Sequence, residues 1–84
     1  VLVVDDDRNV QRMLADALGK AGFRVTVERD GESALAAFER QSFDVVLLDV
    51  LLPALNGYEV ARRIKSTPRG ERTPVLMLSG IYKT

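Results

Sequence analysis

Val1-Leu2-Val3-Val4-Asp5-Asp6-Asp7 opens the chain, and Val45-Val46-Leu47-Leu48-Asp49 repeats the pattern in its second half. Each is a short β-branched and leucine run that ends in carboxylates. Such runs read as strands buried on both faces. An open parallel sheet binds ligands outside the carboxyl ends of its strands. If the two strands are neighbours, Asp5, Asp6 and Asp49 converge. Clustered carboxylates repel one another and desolvate badly unless positive charge sits among them. A hard divalent cation answers that need, and Mg²⁺ suits an all-oxygen site.

Working outward, Val10, Met13, Leu14, Ala17, Leu18 and Ala21 recur at helical spacing, which predicts a helix with an apolar stripe. Asp7 suits its N-cap and Gly22 its stop. Phe23 to Glu28 alternates and reads as a strand, and Asp30-Gly31 reads as a turn. Ser33 to Arg40 carries Ala34, Leu35 and Phe38 and reads as a short helix. Met13 and Phe38 are expected in the core. Phe43 to Leu48 is the second buried strand. A loop from Val50 to Asn56 leads through Gly57 to a helix over Tyr58 to Lys65, with Val60, Ala61 and Ile64 inward and Tyr58 half-buried. Pro68, Gly70 and Pro74 mark a loop, and Val75 to Leu78 a fourth strand. The order βαβαβαβ implies an α/β fold with a parallel sheet covered on both faces.

The bulk composition, 46% hydrophobic and 29% charged, is that of an ordinary soluble protein, and 84 residues allow one small domain. Twelve basic residues balance twelve acidic ones, so bulk charge points to no nucleic-acid or membrane surface. Cysteine and histidine are both absent, which removes disulfides, thiolate chemistry, His-ligated zinc and an internal phosphohistidine. No apolar run approaches the roughly 20 residues of a membrane span, and no signal peptide opens the chain. A cytoplasmic location is expected. The chain starts inside a strand and stops just after another, as expected of a fragment.

The candidate chemistry lies at strand ends: Asp5, Asp6, Asp49 and Ser79. Asp6 and Asp49 are expected to ligate Mg²⁺ directly, with Asp5 adding charge and holding a coordinated water. Backbone carbonyls after Asp49 are candidates to complete the site. A carboxylate beside Mg²⁺ can attack phosphorus and form an aspartyl phosphate. The Ser79 hydroxyl is then placed to hydrogen-bond a phosphoryl oxygen. Asp7 is read as a cap only, and Arg8 as a solvated first-turn residue near the acids.

Taken together, these stretches resemble the receiver domain of bacterial two-component response regulators. The resemblance rests on Leu2-Val3-Val4-Asp5-Asp6, on Asp30-Gly31 with Ala34-Leu35, on Leu48-Asp49 through Pro53 to Gly57, and on Pro74-Val75-Leu76-Met77-Leu78-Ser79. It implies a flavodoxin-like parallel sheet, present here as an incomplete (βα)3β unit: one receiver domain over residues 1–84 lacking its C-terminal part. By position it implies that Asp49 is the phosphoacceptor, Asp5 and Asp6 the acidic pair, the Leu51 backbone carbonyl a third protein ligand of Mg²⁺, and Ser79 the switch hydroxyl. It further implies a phosphorelay in which a histidine kinase or phosphotransfer protein donates the phosphoryl group. The receiver catalyses only its own phosphorylation and dephosphorylation, and it acts on an output domain or partner protein.

The family's fifth strand, ending in Lys-Pro, has no counterpart in these residues. Lys83 comes too early to replace that lysine, and Tyr82 too early for the family's switch aromatic. Asn56-Gly57 stands for the common Asp-Gly, and Leu51-Leu52 make the loop after Asp49 unusually apolar. Without a further strand, the fourth is expected to be an apolar edge open to an edge-paired or swapped dimer. Two alternatives stay open from the residues: a pseudo-receiver that never carries phosphate, and an aspartyl-nucleophile phosphatase, since Asp5-Asp6-Asp7 contains an Asp-x-Asp.

Overall fold

The computed structural model describes residues 1–78, so the readings of Ser79, Tyr82 and Lys83 lie outside the described residues. Eight elements follow in order: β1 (Leu2–Val4), α1 (Arg8–Lys20), β2 (Thr26–Glu28), α2 (Gly31–Arg40), β3 (Val46–Asp49), α3 (Gly57–Lys65), α4 (Pro68–Glu71) and β4 (Val75–Leu78). All strand pairs are parallel, and the sheet order is β2-β1-β3-β4. The chain steps from β1 to β2 on one side. It then crosses back to place β3 on the other side of β1. That reversal is a topological switch point, and it lies between β1 and β3.

The two faces of the sheet are covered unequally. Leu2, Val4, Val46 and Leu48 project to one face and pack with Ala34, Ala37, Phe38, Phe43, Leu52, Val60 and Ile64. This is the main core, roofed by α2 and α3. Alternation turns Val3, Leu47 and Leu76, which are in register with one another, to the other face. Val3 is fully buried, Leu47 partly, and Leu76 is 55% exposed. The gradient has a geometric cause. A helix is about 10 Å wide and strands lie about 4.8 Å apart, so one helix shields about two strands. The expected cover on both faces is therefore, among the described residues, complete over β1 and β3 on one side and confined to the α1 side on the other.

The same geometry corrects the reading of α1. Val10 is buried, but Met13 is 44% exposed and Ala17 and Ala21 are exposed. The helical period is correct, and the inward stripe runs through Val10, Leu14 and Leu18, of which only Val10 is fully buried. Tyr58, expected half-buried, is 66% exposed because it lies in the first turn of α3, away from the core contacts of Val60 and Ile64. β2 is also shorter than its alternating pattern, and Phe23 lies outside it, 52% exposed.

Side-chain caps set the helix starts. Asp7 Oδ1 accepts from the Asn9 and Val10 N–H groups, as its position predicts. Asp30 and Gly31 do not form a free turn: Asp30 caps α2 by accepting from the Ser33 N–H at 2.8 Å, and Gly31 is the first helical residue. Asn56 caps α3 in the same way. The Pro68–Pro74 loop contains α4, capped by Thr67 and starting at Pro68, the helical position that proline tolerates best. The Arg69 guanidinium anchors α4 to the Phe38 carbonyl and lies 5.2 Å from the Phe38 ring centroid.

The Ser33 N–H and hydroxyl hydrogen bonds hold the Asp30 carboxyl below its ordinary pKa of 3.8. A depressed carboxylate stabilises the fold above its unfolded pKa, and that stabilisation fades as pH falls through the folded value. Asp30→Ala is expected to cost about 1 kcal/mol at neutral pH, the usual value of a cap. In urea titrations across the acid range, the variant and the natural residue should converge below the folded Asp30 pKa.

Candidate functional site

β1 and β3 are paired in register, with Val4 opposite Leu48, so the residues that follow each strand emerge side by side. Asp5 and Asp49 are buried, with 2% and 0% exposure, whereas Asp6 is exposed. The carboxylate oxygens of Asp5, Asp6 and Asp49 lie within 4.8 Å of one another. Three of the four strand-end residues read from the sequence are thus brought together, and the fourth, Ser79, lies outside the described residues. Asp7 is tied to the start of α1 and serves as a cap.

The main chain around these acids is held tightly. The Asp5 N–H donates to the Glu28 carbonyl at 3.1 Å, and the Gln11 side-chain amide donates to the Asp5 carbonyl. The Asp7 N–H donates to Asp5 Oδ1 at 2.9 Å. On the other strand, the Leu51 N–H donates to Asp49 Oδ1 at 3.3 Å, which curls the loop back over the carboxylate. The Leu51 side chain itself is 69% exposed. Further along, the Leu55 N–H reaches the Pro53 carbonyl at 2.7 Å around Ala54, whose φ is +66°. A non-glycine residue in that region is strained by about 1–3 kcal/mol, a cost found mainly where function fixes a loop.

Gly57 closes the arrangement. Its N–H donates to the Val50 carbonyl at 2.9 Å. A Cβ built on it would sit 2.1 Å from the Asp49 carbonyl oxygen and 2.8 Å from the Val50 Cα. The first turn of α3 thus lies directly against the backbone that carries Asp49. The sequence shows a turn at Asn56-Gly57 but not this close approach, because the partner is eight residues back and meets Gly57 only in the fold. Gln11 was equally hidden: a polar residue in an amphipathic helix reads as solvent-facing until β1 is placed beside it. Arg29 is also placed near the acids only by the fold. It follows β2 and shares a cavity with Asp6, Arg8 and Gln11.

Hard oxygen donors, strict convergence and partial burial are the chemistry of a divalent metal site of the Mg²⁺ type. Fold and site together define a doubly wound α/β module with an acidic centre at its switch point. The comparisons with known proteins agree. A family model of the response regulator receiver domain matches residues 1–83, and the chain belongs to that family. The sensory transduction protein RegX3 of Mycolicibacterium smegmatis is 42% identical over 79 residues, which cover 94% of this chain and 33% of that protein. The chemotaxis response regulator CheY4 of Vibrio cholerae superposes with a TM-score of 0.89 at 34% identity, over 90% of this chain and 63% of that one. TrrA of Thermotoga maritima, solved in complex with Mg²⁺-BeF, superposes at 0.88 with 32% identity, over 94% of this chain and 67% of that one. The chain spans about a third of the length of the curated relative RegX3. Receiver domains of the CheY type are standing examples of the switch-point rule applied above.

The chain is therefore a receiver domain of two-component response regulators, a regulatory module. The pseudo-receiver and phosphatase readings are not favoured. No helix among the described residues is long and apolar enough to cross a membrane.

Gly57→Ala must push α3 off the Asp49 backbone. It is expected to lose about 1–3 kcal/mol, the usual cost of overpacking, read as a lower urea midpoint. Mg²⁺ titrations followed by NMR should show weaker binding in the same variant.

Proposed function

We propose that residues 1–84 act as one phosphoacceptor receiver unit in which Asp49 is phosphorylated. The observation that carries this reading is the position of Asp49: a fully buried carboxylate at the end of a central strand, its oxygen within 4.8 Å of those of Asp5 and Asp6. An Asp49 carboxylate oxygen attacks the phosphorus of a phosphohistidine on a histidine kinase or phosphotransfer protein. The P–N bond breaks, its electron pair returns to the imidazole nitrogen, and an acyl phosphate forms on Asp49. Asp6, Asp49 and the Leu51 carbonyl would hold Mg²⁺, with Asp5 holding a coordinated water. The ion supplies positive charge that offsets the carboxylates and the phosphoryl oxygens. The same acids fit Mg²⁺ in this chain as hard oxygen donors, and TrrA, a relative of the same fold, is solved with Mg²⁺-BeF.

In this reading the Ser79 hydroxyl hydrogen-bonds a phosphoryl oxygen, an assignment that rests on its place after β4. The domain acts on itself and turns over no separate substrate. Phosphorylation then switches an output domain or partner protein, in the bacterial cytoplasm. Incubating the natural protein with acetyl phosphate and Mg²⁺ tests the reading. Intact-mass measurement should show one added phosphoryl group, lost in Asp49→Asn. An unlabelled natural protein, or label that persists in Asp49→Asn, contradicts it.

Among the described residues β4 lies at the sheet edge, with Leu76 55% exposed on it, which supports pairing of two copies of the 84-residue chain when it is prepared alone. Sedimentation velocity should show a dimer fraction that grows with concentration and falls in Leu76→Lys.

A further inference from the structure

The two peptide groups that flank Asp6 are both held from the side. The carbonyl of the first, that of Asp5, accepts from the Gln11 side-chain amide. The N–H of the second, that of Asp7, donates to Asp5 Oδ1 at 2.9 Å. The ring closes through α1: the Gln11 backbone N–H donates to the Asp7 carbonyl at 3.0 Å, and Asp7 Oδ1 caps the same helix. Asp5 is also fastened to β2, its N–H donating to the Glu28 carbonyl at 3.1 Å. Peptide groups are planar, so a residue between two of them has only φ and ψ left to turn. Holding both planes restrains both angles, and with them the direction of the Asp6 Cα–Cβ bond. Asp6 needs this more than its neighbours do. It is exposed, whereas Asp5 and Asp49 are buried and are held by packing as well.

The two restraints differ in origin. An aspartate that accepts from the backbone two residues on makes an ordinary local turn. The Gln11 contact comes from six residues away and from another element. Gln11 is half-buried, while Asn9 and Arg12 near it on α1 are exposed. Building on the reading above in which Asp6 ligates Mg²⁺, we propose that Gln11 is a positioning residue for the cation site. By holding the Asp5–Asp6 peptide from α1, it keeps the Asp6 carboxylate within reach of those of Asp5 and Asp49, whose oxygens lie within 4.8 Å of its own. An ion that must first order a wandering ligand binds less tightly than one that meets a prepared site. Groups that orient ligands from behind are commonly worth about ten- to a hundredfold in metal affinity. Gln11 acts through the main chain of Asp5, and the chemistry stays with Asp49.

The test titrates Mg²⁺ alone into the natural protein, Gln11→Met and Leu14→Ala, followed by NMR. Methionine keeps the length and bulk of glutamine but has no N–H to give. Leu14 lies about one turn further along α1 and is partly buried, so its truncation reports on a general loosening of the helix. Gln11→Met should bind Mg²⁺ about tenfold more weakly than the natural protein, at the low end of what orienting groups supply. In the same variant without metal, the Asp7 amide should exchange its hydrogen faster. Leu14→Ala should lower the urea midpoint and leave the Mg²⁺ affinity near its natural value. An unchanged affinity in Gln11→Met overturns the proposal. So does a loss matched by Leu14→Ala, which would make Gln11 an ordinary structural contact. A loss with Asp7 exchange unchanged overturns it too, since Gln11 would then act by some other route. If the natural protein itself binds no Mg²⁺, the reading of the acids as its ligands fails first, and this proposal with it.

Discussion

Val4 and Leu48 are neighbours in a parallel hydrogen-bonded ladder, and this pairing is what the site depends on. It fixes the exits of β1 and β3 side by side, so Asp5 and Asp49 cannot move apart without breaking the sheet. The carboxylates repel, and two of them are removed from water. The apolar residues behind them hold that arrangement: Leu2, Val4, Val46 and Leu48 are each fully buried in one core. The strand hydrophobics thus do two jobs. They drive the fold, and they hold three carboxylates close enough together for one cation to lie among them.

The loop after β3 carries the second part of the design. Asp49 is followed by a main chain bent back onto its own carboxylate by the Leu51 N–H, then by the strained Ala54 and the tight contact of Gly57. Each of these departs from the easiest local choice, and they lie within a few residues of one another beside the acids. Natural sequences concentrate such departures where function requires a particular geometry.

Much of this was legible in the chain before any coordinates. Runs of valine and leucine ending in aspartate gave the strands and their carboxyl ends, and alternation with helical periods gave the parallel order. The convergence of Asp5, Asp6 and Asp49 was legible because a topological rule, not local spacing, brings them together. Errors arose where a local pattern lacked tertiary support. Met13 has the right helical period, yet α1 covers too few strands to bury it. Asp30-Gly31 carries turn chemistry, yet the same chemistry caps a helix. Pro68 and Gly70 punctuate the chain, yet a proline at the first helical position starts α4; Gly70 is required because a Cβ there would meet the Ile64 carbonyl at 1.7 Å. Gln11 carries no local signal, since its contact with the Asp5 carbonyl arises only when α1 is laid beside β1.

The sheet gathers Asp5, Asp6 and Asp49 so that one cation can bind among them. Crystals of the natural protein soaked in Mn²⁺, a Mg²⁺ surrogate with an anomalous signal, address this most directly. A single strong anomalous peak bounded by Asp6, Asp49 and the Leu51 carbonyl, with Asp5 facing it through a water, is the predicted result. A site that stays empty at saturating Mn²⁺, or an ion bound away from Asp49, would contradict the account.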